Sequence, residues 1–146
     1  EIIFTATDLL ADTKLAPELS NEAHYYRAKA YLDAGKTDGA MEDLKILAKD
    51  TRNVYGAEAK YKVAQIYFDG GQTDKAEQEV LNYIEVSTPH TYWLARSFVL
   101  LADVYMKLGR NLDAKQYLLS LKQNYQADDD IAGMIESRLE KLKTEN

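Results

Sequence analysis

Between Asn21 and Tyr125 three stretches of this chain share one pattern of small, apolar and polar positions. It reads Ala28, Tyr31, Gly35, Ala40, then Ala64, Tyr67, Gly71, Ala76, then Ala102, Tyr105, Gly109, Ala114. A residue able to cap a helix stands two places after each glycine, at Thr37, Thr73 and Asn111. Large apolar residues follow at matching offsets: Leu44 and Leu47, Val80 and Tyr83, Leu118 and Leu121. Helix, glycine, cap, helix is a hairpin. The pattern therefore predicts helix pairs over 21–34 with 38–50, 55–69 with 74–86, and 89–108 with 112–124, the last opened by Thr88 as cap and Pro89 as first helical residue. Before them, Ile3, Ala6, Leu9 and Leu10 keep helical spacing. After them, Ile131, Ile135, Leu139 and Leu142 form one apolar stripe behind Asp128-Asp129-Asp130.

Each recurring position has a physical reason. A small residue on the first helix lets the second approach to the roughly 8–10 Å of close helix packing. The tyrosine lies one turn later on the same face and fills the space toward the next unit. Glycine suits the left-handed residue that closes a helix. Thr or Asn caps the next helix by accepting an orphan backbone N–H, and the second alanine repeats the small contact from the other side.

Self-similarity of this kind marks a helical solenoid, and the chain resembles a tetratricopeptide repeat protein, whose unit is about 34 residues in two antiparallel helices. The units here recur at 36 and 38 residues, from Ala28 to Ala64 to Ala102. Spacing within a unit is constant, so the extra residues fall near Asp50–Tyr55 and Glu85–Tyr92. His24 and Arg27 depart from the large apolar residues usual in the family. The resemblance implies one all-α, right-handed α-α superhelix. Its parts are the second helix of a truncated repeat (1–14), repeats over 21–51, 55–88 and 89–125, and a capping helix over 129–144. The run from Trp93 to Tyr105 is also similar, more narrowly, to the last repeats of long envelope-associated proteins of Bacteroidetes bacteria. That likeness implies a bacterial envelope or periplasmic setting.

Composition narrows the function. The 146 residues are one domain's worth of chain and carry a net charge of −6, which argues against nucleic acid and anionic membrane surfaces. No apolar run reaches the 18 or so residues of a transmembrane helix. Without cysteine there is no disulfide, thiolate metal site or thiol nucleophile. The start, Glu-Ile-Ile-Phe, reads as a processed or excised piece. Ile2, Ile3, Phe4, Leu9 and Leu10 then lack a partner helix, and self-association or pairing through this end is expected.

Catalytic chemistry has little to stand on. His24 and His90 are isolated from each other, and neither sits in a metal-ligand spacing. Gly35-Lys36-Thr37 lacks the upstream glycine and the strand of a phosphate loop. The aspartate run lacks the alternating spacing of a calcium loop and reads as a helix cap with solvated charge. No cofactor is expected, and the chain reads as non-catalytic.

Binding is the expected work. In the family, one face of each first helix lines the concave groove. By offset from the motif alanine that face carries Tyr25, Lys29 and Leu32, then Tyr61, Gln65 and Phe68, then Val99, Asp103 and Met106. Glu22 with Asp33, Glu58 with Asp69, and Arg96 with Lys107 flank them. Tyrosines are frequent binding hot spots, yet the same side chains could instead pad the contact between adjacent first helices. The Lys and Asn that chaperone-binding members use to hold a terminal carboxylate are absent, and five acids against three bases lean toward neutral or basic ligands. The reading is a protein–protein interaction module binding a peptide or partner helix in the groove. The alternative is a structural end segment of a longer solenoid that mediates assembly or homo-oligomer packing.

Overall fold

The computed structural model describes residues 2–11, 15–86 and 88–144. Among the described residues there are eight helices and no strand. They are α1 (Ile2–Leu10), α2 (Pro17–Asp33), α3 (Thr37–Leu47), α4 (Val54–Asp69), α5 (Thr73–Glu85), α6 (Thr91–Lys107), α7 (Asn111–Asn124) and α8 (Ile131–Thr144). Positions 1 and 12–14 of the expected leading segment lie outside the described residues.

Helices α2–α3, α4–α5 and α6–α7 are the three pairs, and each second helix packs on the first helix of the following pair. The first helices also touch one another, α2 on α4, α4 on α6 and α6 on α8, whereas α3, α5 and α7 do not meet. One row is thus tight and the other splayed, which bends the stack into an α-α superhelix with α2, α4, α6 and α8 on its inner side. None of the six motif alanines is more than 1% exposed. The six apolar residues after them, Leu44 through Leu121, are buried too.

The helix stops are alike in all three units. Gly35, Gly71 and Gly109 have φ of 74°, 79° and 77°. The next residue's amide donates to the motif tyrosine's carbonyl (Lys36 to Tyr31, Gln72 to Tyr67, Arg110 to Tyr105), and the glycine amide donates to the carbonyl one residue past that tyrosine. This pair of bonds is the Schellman closure.

Three local expectations are corrected. Thr37, Thr73 and Asn111 are the first helical residues, not caps; Lys36, Gln72 and Arg110 precede them and make no side-chain cap bond. The closure already fixes the chain's path there, so the second helix begins one residue sooner. Helix α2 starts at Pro17 rather than at 21, because proline at the first turn lacks only an N–H that would be orphaned anyway. Helix α6 starts at Thr91 rather than at Pro89. Thr88 is engaged elsewhere, since its hydroxyl donates to the Thr51 carbonyl (2.6 Å) and accepts from the His90 amide (3.1 Å). The residues in excess of a 34-residue unit lie in the connections 48–53 and 86–90, which this bond ties together. His90 is half-buried there, its Nε2 3.0 Å from the Arg52 carbonyl.

Two apolar cores result. One gathers Ala28, Ala40, Leu44, Leu47, Ala59 and Val63 around the first pair. The other runs from Tyr61 and Tyr83 through α6 and α7 to Ile131, Ile135 and Leu142 of the last helix.

Candidate binding surface

Three side-chain pairs occupy one equivalent position where a first helix meets its own second helix. His24 Nδ1 lies 2.7 Å from Asp43 Oδ1, Lys60 Nζ lies 3.0 Å from Glu79 Oε2, and the Phe98 and Tyr117 rings meet at 6.2 Å. Asp43 is fully buried and is held as well by Arg27, through Nε at 2.8 Å and Nη2 at 2.5 Å. His24 and Arg27, the departures from the family pattern, therefore exist to satisfy a buried carboxylate. No local signal marks this pairing, because Asp43 lies 16 and 19 residues downstream.

The expected groove residues divide by unit. Tyr25 is half-buried, its hydroxyl donates to Glu58 (3.1 Å), and its ring centroid lies 4.5 Å from that of Tyr55. Burial first, then the Glu58 carboxylate, pushes the Tyr25 phenol up to about 12. Lys29 is exposed with its ammonium 5.4 Å above that ring, and Leu32 is half-buried against the first core. Tyr61 is only 6% exposed. Its hydroxyl donates to Gln65 (2.8 Å) and accepts from Arg96 (3.0 Å), and its ring lies 5.7 Å from Trp93. Gln65 passes the chain of bonds on to Asp69 (2.8 Å). Val99 is buried in the second core. Tyr25 and Tyr61 thus spend their side chains on contacts between units, and Val99 is a core residue.

Phe68, Asp103 and Met106 come together instead. They line a cleft of about 590 Å³ with Lys107, Ser137, Arg138 and Lys141. Here α8, lying beside α6 as α6 lies beside α4, adds residues that no offset within the three units contains. Arg138 binds Asp103 through two bonds (2.7 and 2.9 Å). Lys107 and Lys141 make no ion pair among the described residues, so this end of the inner row carries net positive charge. Arg138 and Lys141 of α8, with Lys107 of α6, face the single acid Asp103 in this cleft, whereas acids predominate among the residues counted over the three units.

The aspartate run has its expected capping role. Asp129 accepts from the Ile131 amide (2.9 Å) and from the Tyr125 hydroxyl, which burial and that carboxylate push up to about 12. Asp130 accepts from Tyr92 (2.8 Å), locking the last helix to the start of α6. Among the described residues no group of acids and histidines could hold a metal ion, and no helix is long and apolar enough to cross a membrane.

Two family models, both described as tetratricopeptide repeat, match residues 22–50 and 95–124. These two stretches are tetratricopeptide repeats. Such repeats are generally non-catalytic protein-interaction modules, and the paired helices, glycine closures and buried alanines described above are their architecture in this chain. No curated protein and no solved structure matches the chain.

Proposed function

We propose that this tetratricopeptide array binds a peptide segment on its inner face, seated at the α4–α6–α8 end. The observation that carries the reading is the meeting of Phe68, Asp103 and Met106 around one open cleft beside two cations without ion pairs. Phe68 and Met106 offer apolar area, Met adapting its shape to what it meets. Lys107 and Lys141 favour carboxylates on the incoming segment, and Arg138 holds Asp103 out of their way. The ligand that suits this site is a short acidic segment with one large apolar side chain.

Selection from a random peptide display library tests it. The expected result is an acidic consensus around one apolar residue, lost with Lys107→Glu plus Lys141→Glu while the melting temperature holds. Consensus peptides whose binding ignores those substitutions would overturn the assignment.

A structural end role is the second reading, favoured by α8. It turns Ile131, Ile135 and Leu142 inward and leaves Glu136, Glu140 and Lys143 in solvent, which is how a solenoid stops without a sticky face.

A further inference from the structure

Every first helix of this array lies in a seat made by its own second helix and the next unit's first helix. Helix α2 lies on α3 and α4, α4 on α5 and α6, and α6 on α7 and α8. The seat residues are equivalent from unit to unit. Gly39, Ala40 and Asp43 of α3, with Tyr55, Glu58 and Ala59 of α4, form the seat of α2: Tyr31 presses on Gly39, His24 and Arg27 hold Asp43, and Tyr25 reaches Tyr55 and Glu58.

A fourth seat with the same geometry is open. Counting back 34 residues from Ala40 to Ala6 and 36 from Ala59 to Ala23 gives Thr5, Ala6 and Leu9 of α1 with Leu19, Glu22 and Ala23 of α2. These residues, with Ile2 and Tyr26, line one cleft of about 440 Å³. Its floor alanines are buried, at 4% and 5% exposure. Its walls are not: Ile2 is 57% exposed, Leu9 44%, Leu19 50% and Tyr26 49%. Exposed apolar walls beside a small-residue floor repeat the arrangement that the other first helices fill.

We propose that this seat takes one amphipathic helix of the pattern apolar-Tyr-x-x-Ala-x-x-Tyr, continuing the interface that already joins the units. Each position follows from what it would face. Leu9 stands where Asp43, Glu79 and Tyr117 stand in the filled seats, opposite His24, Lys60 and Phe98. An apolar wall calls for an apolar residue, as Tyr117 receives Phe98. Glu22 stands where Glu58 and Arg96 stand, and both of those bind a tyrosine hydroxyl, so the following residue is Tyr. The floor alanines ask for Ala three places later, as at Ala28, Ala64 and Ala102, and the last Tyr matches the motif tyrosine one turn on. A second copy of this chain is not the occupant, because α2, α4 and α6, which carry only the Ala-x-x-Tyr part of the pattern in common, are already seated in their own stacks.

The probe is a synthetic peptide of residues 54–72 carrying Lys60→Phe, compared with the unsubstituted peptide by fluorescence anisotropy against the 146-residue chain. The Phe peptide is expected to bind about tenfold more tightly, since Leu9 gives an ammonium no partner. Leu9→Glu in the protein places a carboxylate where Glu79 sits and is expected to reverse the preference. Leu9 is exposed enough for that variant to fold, and a circular dichroism spectrum of the variant is the check that it does. Equal affinity of the two peptides, or a preference that Leu9→Glu leaves unchanged, overturns the proposal. So does sedimentation showing a dimer that neither peptide dissociates, because a second copy then covers the seat. None of these readings touches the α4–α6–α8 cleft, so the two proposals fail separately.

Discussion

Asp43, with no exposed surface, takes two bonds from Arg27 on the neighbouring helix, and Arg27 Nη1 reaches on to the Thr7 hydroxyl at 3.1 Å. One carboxylate thereby ties α1, α2 and α3 together. The hydrogen bonds to Asp43 also hold the Arg27 guanidinium more firmly protonated than usual. Asp43→Asn is expected to cost about 3 kcal/mol, the lower end of the range for breaking a buried pair because Arg27 keeps some solvent. Replacing His24, Arg27 and Asp43 together by Phe, Leu and Tyr, which copies Phe98, Leu101 and Tyr117, is expected to recover most of that loss. Urea denaturation of the two variants measures both numbers.

Two glycines separate backbone strain from steric clash. At Gly35 a Cβ meets nothing within 4 Å, so Gly35→Ala incurs only the strain of the left-handed conformation, about 1–2 kcal/mol. At Gly56 the same Cβ would stand 1.9 Å from the Asp50 carbonyl oxygen, and Gly56→Ala must push α3 and α4 apart. Its expected cost is about 3 kcal/mol, at the upper end for overpacking. Melting curves that rank the two the other way would contradict this account.

Tyr61 and Phe68 lie two turns apart on α4 and are expected to part company on truncation. Tyr61→Ala removes a buried ring between two units and is expected to cost about 3–5 kcal/mol of stability. Phe68→Ala, half-exposed in the cleft, is expected to cost about 1–2 kcal/mol and to abolish binding of the selected acidic peptide. Melting temperature and peptide affinity on each single variant separate the effects.

Alkaline pH should loosen the array. Burial pushes the phenols of Tyr25 and Tyr125 up to about 12, and that of Tyr105 up as well, helped by neighbouring carboxylates. A phenol whose folded pKa lies above its unfolded value keeps its proton longer in the fold. Its contribution is then complete below about pH 10 and is lost as pH rises toward 12. Stability by urea titration is expected to fall across that window, and Tyr25→Phe is expected to flatten part of the slope.

The architecture is legible in the sequence because its parts are local and repeated. A positive-φ glycine, a buried alanine and a ring one turn later are each set by neighbours within a few residues, and three copies expose the pattern. What cannot be read there depends on distant partners. Asp43 explains His24 and Arg27 only after α3 folds back on α2, and Thr88 gives up its capping role for Thr51, 37 residues away. Local signals also compete: the same Pro17 that bars a helix from running on through Ala16 opens the next one. The charge of the cleft depends on α8 taking the place of a further first helix, which the repeat pattern does not contain.

The two apolar cores divide α4 between them, Ala59 and Val63 belonging to one and Tyr61 and Ala64 to the other. The smaller core is wrapped by polar ties, and the larger one closes on the aromatic pair Phe98–Tyr117 and the clamp of Tyr92 on Asp130. In a molecule whose units hold mainly to their neighbours, such asymmetry gives unfolding a direction. Amide protons of α2 and α3 should exchange before those of α6 and α7. A chain pulled from both ends would then peel from its beginning, leaving the last units folded as a remnant.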